Sequence, residues 1–118
     1  MNRMLLPAAV IAALFAEPLL AHEDDAAAGQ IQNLLGYAYR NAGQLDSAFK
    51  HYQRALELNP RHRGAREYLG EAYLLANDVQ KAQEQLAALR QICLIPCEEY
   101  EDLEKAITAY SKRAARSR

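Results

Sequence analysis

Small, large and aromatic positions return along this chain at a fixed interval. Leu35-Gly36-Tyr37-Ala38-Tyr39 reappears 34 residues later as Leu69-Gly70-Glu71-Ala72-Tyr73, and Ala42/Ala76 and Ala48/Ala82 fall at the same offset. Leu45 and Leu58 are matched in kind by Val79 and Ile92. Identity concentrated at small and aromatic positions marks one structural unit present twice, not two unrelated amphipathic stretches. Turn formers divide each copy: Asn41-Ala42-Gly43-Gln44 in the first and Ala76-Asn77-Asp78 in the second. Gly43 and Asn77 suit the left-handed conformation that closes a helix. Leu58-Asn59-Pro60 ends the first copy, because the residue before a proline disfavours helical geometry. The pattern predicts two helical hairpins, over 29–62 and 63–96. Gly36, Gly70, Ala48 and Ala82 are small where paired helix backbones approach to the usual roughly 8–10 Å.

A third apolar stripe follows. Tyr100, Leu103, Ala106, Ile107 and Tyr110 lie on one face at helical spacing within 98–113. The 34-residue register puts the first four at the core positions of another leading helix, yet the position occupied by Gly36 and Gly70 is here Glu104. This predicts a terminal helix with nothing packed against that point: a cap over 97–113, with Glu101, Asp102, Glu104 and Lys105 forming its polar outer face. Acidic residues from Glu98 to Asp102 open it and Lys112 and Arg113 close it, as the helix dipole favours. Residues 114–118 are expected to be a solvated basic tail.

The N-terminus reads differently. Arg3 precedes an apolar run, Met4 to Ala16, broken only by Pro7 and ended by Glu17-Pro18. Such a run is shorter than the about 20 apolar residues a membrane span needs. Leu19-Leu20-Ala21 offers a small residue for cleavage, so residues 1–21 are expected to be a cleavable export signal, the mature chain beginning at His22 and 22–28 forming a lead-in. Retention as an anchor is the alternative.

Period, residue types and turn placement together resemble the tetratricopeptide repeat, a unit of two antiparallel helices. The resemblance rests on Leu35, Gly36 and Tyr39 in the first helix and Ala48, Tyr52, Ala55 and Pro60 in the second. Gln32 stands where the family has an early large residue. The second copy keeps Leu69, Gly70, Tyr73 and Ala82, then drifts: Leu86 replaces the aromatic, Leu89 the second alanine, and Pro96 comes two residues late. The resemblance implies an all-α fold, two hairpins stacked as a right-handed solenoid, with the capping helix completing a core that two repeats alone fill poorly.

Charge is nearly balanced, 14 Lys+Arg against 15 Asp+Glu, so nucleic acid and anionic lipid are not expected partners. After signal removal no stable membrane insertion is expected. In an oxidising compartment, expected to be the periplasm, Cys93 and Cys97 are expected to form a disulfide at the corner before the cap, contributing about 2 kcal/mol. A metal or redox role for the pair is the alternative. His51 and His62 are isolated in sequence and read as solvent-facing or capping. No phosphate loop, nucleophile elbow or zinc motif is present, so neither catalysis, a cofactor nor a metal is expected.

In tetratricopeptide proteins the first helix of each repeat lines a concave groove for a peptide. The resemblance places Asn33, Tyr37, Arg40 and Asn41 there from the first repeat, and Glu67, Tyr68, Glu71 and Leu74 from the second. The basic residues with which some members hold a carboxyl terminus are absent, which disfavours that ligand. The expected function is an exported adaptor binding another protein or peptide. The runner-up is a periplasmic metal or redox accessory protein using Cys93 and Cys97. Self-association through the open face of the first helix is a third expectation.

Overall fold

The computed structural model describes the backbone of residues 8–118 and the side chains from residue 24 onward. Most of the expected leader, including its cleavage position and the His22 side chain, therefore lies outside the described residues. Five helices follow one another: α1 (Ala8–Asn41), α2 (Leu45–Leu58), α3 (Arg63–Leu75), α4 (Val79–Ile92) and α5 (Glu98–Arg116). The expected all-α architecture is observed. Two boundaries differ. The first hairpin's leading helix, expected from Gly29, is continuous back to Ala8, since His22 to Ala28 contains three alanines and no glycine or proline to stop it. The terminal helix runs through the expected tail to Arg116, where Ala114 and Ala115 propagate it and Arg113 and Arg116 suit its negative end.

The 34-residue interval survives in the backbone hydrogen bonds. α1 ends with Gly43 N–H donating to Arg40 O (3.0 Å) and Gln44 N–H to Tyr39 O (2.9 Å). α3 ends with Asn77 N–H donating to Leu74 O (3.0 Å) and Asp78 N–H to Tyr73 O (2.8 Å). Both are the paired closure that satisfies the last free carbonyls of a helix, and both need a residue with positive φ, supplied by Gly43 (77°) and Asn77 (59°). Asp78 then caps α4, its carboxylate accepting from Lys81 N–H at 3.1 Å. His62 caps α3 through Nδ1, which accepts from Ala65 N–H at 3.2 Å.

Within the first hairpin, Gly36 lies against Tyr52, while Gly29 lies against Ala55, Leu58 and Asn59, so α1 and α2 run antiparallel. One core, Ala48, Tyr52, Leu69 and Ala72 with Tyr39, Phe49 and Tyr68 around it, joins α1, α2 and α3. A second core, Leu74, Ala82, Leu89, Leu103 and Ile107, joins α3, α4 and α5. Tyr73 packs against both and couples them. α5 packs on α3 and α4 as α3 packs on α1 and α2. The cap is thus a third leading helix without its partner. Glu104, at the glycine register position, is solvent-exposed, as a helix with no neighbour there requires. Cys93 and Cys97 are disulfide-bonded across a Cα–Cα distance of 5.9 Å at the α4–α5 corner.

The glycines do a different task from the one their pattern suggests. A Cβ on Gly36 would lie 2.5 Å from the Tyr52 ring, and one on Gly70 would lie 2.6 Å from Leu103 of α5. Both positions make room for a large side chain from a neighbouring helix, not for contact between two backbones.

Candidate functional site

α1, α3 and α5 lie side by side and present one continuous face, with α2 and α4 behind them. At its centre Tyr37 of α1 and Tyr68 of α3 meet with ring centroids 5.1 Å apart. The Arg40 guanidinium lies over both rings, 5.2 Å from the Tyr37 centroid and 5.1 Å from that of Tyr68. Arg40 also pairs with Glu71 of α3, and its side chain is only 12% exposed. Arg40 was expected to meet a partner directly; tied on three sides, it braces α1 against α3 and holds the tyrosines in place. Tyr37 remains open, at 39% exposure.

Two recesses flank this centre. The first, about 370 Å³, is walled by Gln30 and Asn33 of α1, by His62, Gly64, Glu67 and Tyr68 at the start of α3, and by Glu98, Glu99 and Asp102 at the start of α5. The second, about 400 Å³, is bounded by Arg40, Asn41, Glu71, Leu74, Leu75, Ala106, Ala109 and Arg113. The eight residues expected on the groove are therefore brought together, with two changes of role. Asn33 is buried, at 3% exposure, at the base of the first recess, because α3 begins with Gly64 against it: a Cβ there would lie 3.2 Å from Asn33 Nδ2. Leu74, at 8% exposure, belongs to the second core, held there by α5.

The first recess is acidic. Burial pushes the Glu67 carboxyl up to about 7, and the carboxylates of Glu71, Asp102 and Glu99 push it further the same way, against the pull of Arg40. Burial likewise raises the Tyr68 phenol. Among the described residues, Glu67, Glu98 and Asp102 have no ion-pair partner, while Glu99 is 3.8 Å from Arg63 at the rim. His62 is neutral in this arrangement: with Nδ1 accepting from Ala65 N–H, its proton is on Nε2 and donated to Gln30 Oε1 at 2.9 Å. Burial lowers its pKa, in the same sense. His51 fastens α2 to α1 through Gln32 Oε1 (2.7 Å) while stacked on Tyr39. Asn33 Oδ1 has no hydrogen-bond partner.

Sequence reasoning placed Asp102 on the outer face of the cap and read Glu98 and Glu99 as dipole complements alone. The structure turns Glu99 and Asp102 towards Glu67. A signal was present: Asp102 stands 34 residues after Tyr68, already assigned to the groove. Gln30, His62 and Gly64 carried none, because it is the meeting of α1 with the start of α3 that makes them wall. Among the described residues, no helix is long and apolar enough to cross a membrane, and no three His, Cys, Asp or Glu side chains are grouped as a metal site.

Residues 30–62, which are α2 and the part of α1 that packs on it, match the tetratricopeptide repeat family. Comparison with curated proteins and with solved structures finds no match.

Proposed function

We propose, from the premise that this chain is a member of the tetratricopeptide repeat family, that it is a non-catalytic adaptor holding a segment of another protein across α1, α3 and α5. Such repeats generally mediate protein–protein interaction. The observation that carries the reading here is the half-exposed Tyr37–Tyr68 pair, set rigidly by Arg40 between two recesses. Aromatic side chains held in place and flanked by concave surface are the anchors on which interface energy concentrates. Bonded to each other, Cys93 and Cys97 act in this reading as the brace of α5 and not as a metal or redox centre. Export through the 1–21 signal, to a periplasmic location, is part of the same proposal. The outer face of α1, where Ile31 and Leu34 are exposed, supports docking of a second copy as a further reading, to be judged by sedimentation.

Selection from a random peptide display library on the full chain tests the groove. Selected peptides are expected to lose at least tenfold in affinity on Tyr37→Ala, with helicity unchanged. Retained affinity would move the binding surface elsewhere.

A further inference from the structure

We propose that the recess between α1 and the starts of α3 and α5 receives a cationic side chain, lysine or arginine, of the bound segment. This rests on the groove reading above and names the chemistry its partner must carry.

Three observations point the same way. Four carboxyl groups, Glu67, Glu98, Glu99 and Asp102, line the recess, and no Lys or Arg does. The one histidine in the wall is neutral by its own hydrogen bonds, so it supplies no counter-charge. The charge is therefore left for something outside the chain to neutralise. Independently, Asn33 is 3% exposed at the base with its Oδ1 unpartnered. A buried acceptor without a donor costs roughly 1–3 kcal/mol, and an incoming N–H would remove that cost. An ammonium brings three donors and a guanidinium five, both with positive charge. A carboxylate or phosphate brings neither. An apolar side chain would leave Asn33 unsatisfied and desolvate the carboxylates. Without a three-ligand grouping among the described residues, an organic cation fits better than a metal ion. The volume, about 370 Å³, falls in the range of pockets that enclose a ligand group, roughly 300–1,000 Å³.

Glu67 adds a consistent feature. Its carboxyl titrates at about 7 because burial and the carboxylates of Glu71, Asp102 and Glu99 oppose ionisation, with Arg40 opposing them and Tyr68 and the neutral His62 nearby. A bound cation favours the ionised form, so binding should release a proton near neutral pH and tighten as pH rises from 6 to 8.

The probes are capped nonapeptides of alternating alanine and serine, differing only at the centre: Lys, Arg, norleucine or Glu. They are titrated into the full chain and read by amide and Asn33 side-chain NMR shifts. The Lys and Arg peptides are expected to bind at least tenfold more tightly than norleucine, and Glu not at all. Glu67→Gln with Asp102→Asn, and separately Asn33→Leu, should each remove that preference while helicity stays at the parent level. Binding of norleucine equal to lysine would overturn the inference. If those shifts still map to Tyr37 and Tyr68, the groove reading survives alone. Lysine binding unchanged in both variants places the cation elsewhere and also overturns it. If none of the four peptides binds, this proposal falls, and the groove is judged by the display selection.

Discussion

Glu67 and Tyr52 illustrate how single side chains report their surroundings. Tyr52 is fully buried in the first core, and burial pushes its phenol up to about 12 with its hydroxyl unpartnered. Its ring is what Gly36 makes room for. Glu67 has a measurable consequence. Its folded pKa of about 7 lies above the 4.5 of an unperturbed carboxyl, so the folded state holds this proton more tightly. The contribution to stability is complete below pH 4.5 and is lost as pH rises through 7. Glu67→Gln, which cannot ionise, should therefore be more stable than the parent above pH 7 by about 1 kcal/mol, solvent screening at this half-exposed site reducing the gain. At pH 4 the two should be nearly equal. Urea denaturation of both chains at these pH values checks the sign; a parent more stable than the variant at pH 8 would contradict the cause assigned to Glu67.

At the scale of elements, the two register glycines should respond unequally. A methyl at Gly36 meets the Tyr52 ring at 2.5–3.0 Å, and that ring is rigid and enclosed. A methyl at Gly70 meets the Leu103 methyls at 2.6 and 2.7 Å, at the end of a side chain that can rotate and on a helix packed from one side. Overpacking costs roughly 1–3 kcal/mol, set against a helix-propensity gain of about 1 kcal/mol for Gly→Ala. Gly36→Ala is expected to lose about 2 kcal/mol, Gly70→Ala about 1 kcal/mol or less. Thermal unfolding of both variants decides the order, and the reverse order would mean that α1 and α2 can slide apart more easily than α5 can move. The turns agree with this level of reasoning: Gly43 and Asn77, 34 residues apart, adopt the same left-handed geometry for the same closure.

In the whole molecule, α5 completes the second core and also forms one wall of the acidic recess. Stability and binding are therefore linked through its docking, and the Cys93–Cys97 bond closes the corner from which α5 departs. Reduction, or Cys93→Ser with Cys97→Ser, should lower stability by about 2 kcal/mol through the loop entropy regained by the unfolded chain. Hydrogen exchange should rise more in α5 than in α2, which shares no core with it. Equal acceleration in both would mean that the two cores unfold as one unit, joined through Tyr73.

The sequence by itself determined the local and periodic features. Two hairpins, their turns, the disulfide and the inward face of the last helix follow from a 34-residue interval, because small and aromatic positions at that interval can be satisfied by one kind of stacking. Tertiary structure decided what that interval does not encode. Arg40 became a brace because Tyr68 and Glu71 arrive beside it; Asn33 became the base of a recess because Gly64 lets α3 close over it. Glu99 and Asp102 became groove residues because α5 leans on α3 through Leu103. Each depends on which helices meet and at what angle, and a charge or an amide obtains its role only from the neighbours that this meeting supplies.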